Sequence, residues 1–184
     1  NNLTLFIFFF FISLIGYMGS GKTTTGKDLA KAIGYEFIDL DQFIEQKYQT
    51  KIADIFANEG ELGFRKKERE ALHEILTNTN IVLSLGGGTP VYYNNMEEIT
   101  KNSVSFFIRV QLPQLVKRLE NKKGTRPLIA HLTNEELTEF VAKHLFERNQ
   151  YYEKAKYTIN VSNQSTLEVL DQIMNHLKVE KIRN

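Results

Sequence analysis

The eight residues Gly16-Tyr17-Met18-Gly19-Ser20-Gly21-Lys22-Thr23 fill every position of the pattern G-x-x-x-x-G-K-[ST]. Each residue type there has a use in holding a polyphosphate. The glycines let successive backbone N–H groups turn inward toward anionic oxygens. Lys22 brings a point charge for the β- and γ-phosphates. The Thr23 hydroxyl is a hard oxygen ligand for Mg²⁺, which keeps several waters of its own. Gly19, Ser20, Gly21 and Thr24 complete the candidate nucleotide contacts. A glycine-rich turn with a chance lysine is the bland alternative. The flanks argue against it, because an apolar run precedes the loop and a helix-like run follows it, with its positive dipole end at the phosphates. The pattern implies nucleotide binding and leaves the reaction open.

Such a loop needs a strand before it and a helix after it. Phe11–Ile15 reads as the strand, and 23–33 as the helix, closed by Gly34. Strand-like and helix-like runs then alternate. Strands are expected at 36–40, 81–85, 104–110 and 157–161. Helices are expected at 42–48 with Asp41 as cap, and at 52–58, 61–76 and 113–120. Thr133 and Glu136 form a capping box for a helix to Tyr152. Ser165 and Glu168 open a last helix whose Leu167, Leu170, Ile173, Met174 and Leu177 point inward. Polar, basic 121–126 reads as a mobile loop. The alternation predicts an α/β fold with a central five-stranded parallel sheet flanked by helices in three layers. Ligands on such sheets bind at the carboxyl ends of the strands.

The chain has 184 residues, with 23 Lys+Arg against 22 Asp+Glu, a formal net charge of +1 and no cysteine. No basic excess suggests a nucleic-acid partner. Disulfides and thiolate metal sites are excluded, which is compatible with a reducing compartment. The four histidines show no metal-ligand spacing. Leu3 to Ile15 is almost wholly apolar but shorter than a membrane span; its second half reads as a buried strand, which leaves residues 1–10 without an assignment. They stay open as a strand extension, an ill-defined start or a membrane-associated segment; no stable membrane association is expected. The single domain is therefore placed at 11–184.

The remaining motifs carry a resemblance. Asp39-Leu40-Asp41 follows the second strand. Ile52-Ala53-Asp54-Ile55-Phe56 and Gly60-Glu61-x-x-Phe64-Arg65 come next. Then come Leu83-Ser84-Leu85-Gly86-Gly87-Gly88, Arg126-Pro127-Leu128 and Glu147-Arg148-x-x-x-Tyr152. This ordered set resembles the shikimate kinases, from about Phe11 to the last helix. The resemblance implies a P-loop kinase fold with a mobile lid (about 121–132) and an acceptor-binding subregion. It implies transfer of the γ-phosphate of ATP to the 3-hydroxyl of shikimate, in the pathway to chorismate and the aromatic amino acids. Mg²⁺ would be the cofactor, shikimate and ATP the small-molecule partners, and a cytoplasmic monomer the expected form.

Residue by residue, Asp41 matches the family aspartate that binds the acceptor hydroxyls and takes the proton of the attacking one; a plain helix cap is the alternative. Asp39 matches the aspartate acting on Mg²⁺. Arg65 and Arg148 match the arginines that bind the acceptor carboxylate, for which planar forks are suited. A surface pair with Glu61 is the alternative for Arg65. Arg148 shares a helix stripe with Leu137, Val141 and His144, so it calls for a partner. Gly86, Gly87 and Gly88 match the loop that approaches the acceptor. Phe56, Phe64, Met18, Pro127 and Leu128 would wall the ring. Arg126 matches the lid arginine, and Arg118 the arginine stacked on adenine. Lys22, Asp41 and Arg126 are thus the expected catalytic groups, with Thr23 and Asp39 toward the metal.

Three rivals remain at this level. A gluconate kinase shares the loop and size, but the paired arginines and triple glycine oppose it. A nucleoside monophosphate kinase would need a base-reading acceptor site. A binding module without transfer would leave the charged set unused.

Overall fold

The computed structural model describes residues 10–183, apart from the side chain of residue 183. The expectation for residues 1–9 lies outside the described residues. Phe10, set apart from the domain by the sequence reading, belongs to the fold. It is buried, its N–H donates to the Tyr35 hydroxyl at 2.9 Å, and its carbonyl accepts from Asn80.

Five parallel strands form one sheet: β1 (Phe11–Ile15), β2 (Glu36–Asp39), β3 (Ile81–Ser84), β4 (Val104–Val110) and β5 (Tyr157–Val161). Their spatial order is β2-β3-β1-β4-β5. Every residue of β1 is buried. That follows from its place at the centre of a sheet covered on both faces, where a strand reads as a continuous apolar run. The one polar member, Ser13, bonds the Ser103 hydroxyl at 2.8 Å.

Among the described residues, seven α-helices connect and cover the strands: α1 (Lys22–Ile33), α2 (Leu40–Tyr48), α3 (Ile52–Ile75), α4 (Asn95–Asn102), α5 (Leu112–Glu120), α6 (Asn134–Tyr152) and α7 (Thr166–Arg183). Helix α1 packs on β3 and α7, α4 on β4, and α5 on α6. The capping box is formed: Glu136 N donates to Thr133 Oγ1 and Thr133 N to Glu136 Oε2, both at 3.2 Å. The Ser165 hydroxyl accepts from Glu168 N, as expected for the start of α7.

Several expectations are corrected. Asp41 does not cap α2. The helix starts at Leu40, so Asp39 is its cap and accepts from Gln42 N at 3.1 Å. Asp41 stands in the first turn instead, which frees it from the backbone. The two helices expected between 52 and 76, by contrast, are both present within α3, parted by a kink at Gly60, where φ is +72°. Leu167 points outward and is 71% exposed, because it lies in the first turn of α7, off the stripe of Val169, Ile173 and Leu177. Loop 121–126 holds a 3₁₀ turn at Lys123–Thr125. Another 3₁₀ turn at Thr89–Val91 and helix α4 occupy a stretch the sequence left unassigned.

Candidate functional site

The carboxyl ends of β1, β2 and β3 open on a cavity of about 590 Å³. Its floor is the loop after β1. Gly19 and Gly21 have φ of +81° and +88°, the left-handed region that turns the loop around its own N–H groups. Gly21 is also the residue before α1, so the helix N-terminus faces the cavity. Thr23 and Thr24 line it and are exposed.

Lys22 is buried. Its Nζ donates to the Gly16 carbonyl at 2.6 Å, the Tyr17 carbonyl at 3.0 Å and the Ser20 hydroxyl at 3.4 Å. Burial lowers its pKa from 10.5 to about 8, opposed by Asp41 and Asp39 and reinforced by Arg126 and Arg148. The ammonium is thus parked on loop carbonyls that a phosphate would outcompete.

Asp39 and Asp41 line the same cavity from the start of α2. The Asp41 side chain is wetted by the open cleft but ringed by protein. Its carboxyl is pushed up to about 6, by burial first, then by Asp39 and Glu68, against the pull of Lys22 and Arg65. Thr23 and Asp39 offer a hydroxyl and a carboxylate, both hard oxygen donors, on one wall. That pair fits Mg²⁺. Among the described residues no cluster of three or more His, Cys, Asp or Glu could hold a metal. A cation here would therefore rely on phosphate oxygens and water for its other ligands.

The triple-glycine loop after β3 is where the acceptor candidates converge. A Cβ on Gly86 would lie 3.4 Å from Asp41 Oδ1. One on Gly87 would lie 3.2 Å from Arg148 Nη1 and 3.7 Å from the Gly16 carbonyl. One on Gly88 would lie 2.6 Å from Arg65 Nη2, closer than any real contact allows. A side chain at Gly88 would have to displace the Arg65 guanidinium, whereas at Gly86 and Gly87 the neighbours would need to give by only a few tenths of an ångström. The loop is braced from α6, whose Tyr152 hydroxyl donates to the Gly87 carbonyl.

Arg65 is not a surface residue. It is 8% exposed, and its main partner is Glu68, which takes Nη1 at 3.0 and 3.2 Å; Glu61 stands 3.7 Å from Nη2. Its guanidinium sits over the Tyr92 ring at 4.1 Å and the Phe64 ring at 5.1 Å. Its Nε is sealed without an acceptor. Glu68 is 1% exposed and also accepts from Thr89 Oγ1 at 2.9 Å. Burial raises the Glu68 carboxyl, while Arg65 and the hydrogen bonds pull it back down. Glu68, Thr89 and Tyr92 were missed by sequence reasoning. Only Glu68 carried a signal, its spacing of three residues from Arg65 on one helix face.

Arg126 and Arg118 both line the cavity, and Arg118 Nη1 donates to the Gly19 carbonyl at 3.1 Å. Met18 lines it too. Phe56 and Phe64 touch at 4.6 Å between ring centroids, with Phe64 buried and Phe56 37% exposed. Pro127 and Leu128 stand exposed, so no ring wall is formed by them in this arrangement.

The site is therefore a glycine-rich loop with a buried lysine, beside a triple-glycine loop that Asp41, Arg65 and Arg148 approach from three sides. Comparison with known proteins identifies the family. The family model for shikimate kinase matches residues 18–178. A shikimate kinase of Parabacteroides distasonis is 42% identical over 166 residues, covering 90% of this chain and 96% of that one. One of Flavobacterium psychrophilum is 44% identical over 164 residues, covering 88% and 95%. Among solved structures, a shikimate kinase from Bacteroides thetaiotaomicron superposes with a TM-score of 0.87 at 34% identity, covering 93% of this chain and 99% of that one. One from Acinetobacter baumannii, in complex with shikimate, gives 0.85 at 30% identity, covering 98% and 99%. The chain belongs to the shikimate kinase family, a family of ATP-dependent small-molecule kinases.

Proposed function

We propose that this chain transfers the γ-phosphate of ATP to the 3-hydroxyl of shikimate, giving shikimate 3-phosphate and ADP. The observation that carries this is the convergence of Asp41, Arg65 and Arg148 on Gly86–Gly88, with the Gly16 carbonyl 3.7 Å from the Cβ position of Gly87. Two guanidinium groups suit one planar carboxylate, and one carboxylate suits neighbouring hydroxyls. Shikimate has one carboxylate and three hydroxyls.

In this proposal the triphosphate lies on Gly19, Ser20, Gly21, Lys22, Thr23 and Thr24, with Arg118 toward the base. Thr23 and Asp39 would hold Mg²⁺, directly or through water. The ion supplies neutralisation of charge on the phosphate oxygens. Arg65 and Arg148 take the acceptor carboxylate, and Arg65 shifts to bring its sealed Nε and its Nη2 onto the two oxygens. Asp41 accepts the proton of the 3-hydroxyl as that oxygen bonds to γ-phosphorus and the bond to the ADP oxygen breaks. Lys22 leaves the loop carbonyls and follows the transferring charge. Loop 121–132 closes as a lid, carrying Arg126 onto the phosphates and excluding water. Action as a monomer in the cytoplasm belongs to the same proposal.

ADP release should depend on shikimate, and the product should show phosphorus coupling to the proton at carbon 3. Release with gluconate or a nucleoside monophosphate but not with shikimate would refute the acceptor.

Arg65→Ala should raise the shikimate KM about 100-fold while changing the ATP KM little, as loss of a charge-assisted fork predicts. It should also cost roughly 3–5 kcal/mol of stability, since it strands Glu68 as a buried charge. Steady-state kinetics with shikimate and ATP varied separately, on protein checked by a thermal melt, reads both effects.

A further inference from the structure

Tyr17 is the second residue of the phosphate loop, and nothing in phosphate binding calls for its side chain. It is nonetheless 1% exposed and fully engaged. Its carbonyl accepts from Lys22 at 3.0 Å. On the side-chain end, the Arg148 guanidinium carbon lies 5.6 Å from the ring centroid. The Tyr17 hydroxyl and His144 Nδ1 are hydrogen-bonded at 2.8 Å. His144 is fixed in turn by the Phe140 ring, edge-on at 4.4 Å between centroids. Burial, and then Arg148, hold the His144 pKa below its usual value, so the imidazole is neutral and adds no second cation beside the arginine.

A plain core filler would need no hydroxyl and no cation over its face; a leucine would serve. The flat face is what a guanidinium prefers, and here the ring is buried while Arg148 is half-buried, so the contact lies between the exposed and the desolvated case. Arg148 comes from α6 and Tyr17 from the turn after β1, separated by most of the chain. The contact therefore joins the acceptor side of the pocket to the donor side.

We propose that Tyr17 is a positioning residue for Arg148: its ring holds the guanidinium at the acceptor pocket, His144 anchors the ring through the hydroxyl, and the phosphate loop thereby sets where the acceptor carboxylate is received. This rests on the reading of Arg148 as a carboxylate ligand.

The test uses four variants, Tyr17→Leu, Tyr17→Phe, Arg148→Ala and the Tyr17→Leu/Arg148→Ala double, each with separate KM and kcat values and an ADP dissociation constant. Tyr17→Leu should raise the shikimate KM about tenfold, between the sizes of an exposed and a fully desolvated cation–π contact, with kcat and ADP affinity within about twofold. Tyr17→Phe keeps the face and should recover to within about threefold of wild type. In the Arg148→Ala background the leucine should add less than about twofold, because its effect runs through that arginine. Additive losses, or a fall in ADP affinity as large as the rise in shikimate KM, would overturn the proposal. If Tyr17→Leu does not fold, Tyr17→Met fills similar space without a π face and carries the same comparison. An Arg148→Ala protein with an unchanged shikimate KM would instead refute the role of Arg148 itself.

Discussion

Lys22→Ala is expected to lower kcat about 1,000-fold and to weaken ATP binding. Lys22 Nζ already sits among the carbonyls of the phosphate loop, at 2.6 Å from that of Gly16. Removing a preorganised charge from a partly dry site costs about 100- to 1,000-fold in rate, and the upper end applies because Lys22 meets the group being transferred. Lys22→Arg should rescue little, since a planar fork cannot occupy the space between the Gly16 and Tyr17 carbonyls. Single-turnover transfer from saturating ATP separates the chemical defect from the binding defect. A wild-type rate in Lys22→Ala would refute the assignment of the cradle.

The second large effect is at Asp41. Asp41→Asn should lower kcat by roughly 100- to 10,000-fold, the range for losing a positioned general base. The pH profile gives an independent check. The Asp41 carboxyl titrates at about 6, above its usual 3.8. As pH falls through 6 it gains a proton and can no longer accept one, so kcat/KM should drop tenfold per pH unit below that point. The asparagine variant should lack this limb. Stability moves the other way. A carboxyl whose folded pKa is raised opposes folding at neutral pH and stops opposing it as acid protonates it. The variant should therefore melt no lower than wild type, which separates lost chemistry from lost fold. A base-like acid limb that persists in Asp41→Asn would assign the proton acceptor elsewhere.

What the sequence disclosed was local. The phosphate loop is contiguous, and its glycines, lysine and threonine can be read without knowing the fold. Strand β5 and the capping box of α6 were legible for the same reason. What it hid was decided by distance or by competition. Asp39 and Asp41 are both good caps, and only the start of α2 at Leu40 decides which one holds the helix end and which one is free of it. Glu61 and Glu68 are both in reach of Arg65 on a helix, and burial selects Glu68. Helix α4 has only Met96 and Ile99 as buried apolar residues, too few to show a period, and Tyr93 before it takes a φ of +50° that no sequence rule assigns to tyrosine. The ring of Tyr17 under Arg148 joins residues 131 positions apart and leaves no local trace.

Strands β1 and β3 are neighbours in the sheet although helices and β2 lie between them in the chain. The loop for the donor leaves one strand and the loop for the acceptor leaves the other, and Leu85 N still donates to Leu14 O at 3.2 Å just before they part. The lateral spacing of paired strands is about 4.8 Å and is set by backbone hydrogen bonds. On the proposed reading, the sheet thus acts as a gauge block that fixes the spacing at which the donor and acceptor loops leave it. On the same reading, loop 121–132 would govern entry, leakage of water and departure of product, while the roots of the two loops keep that spacing.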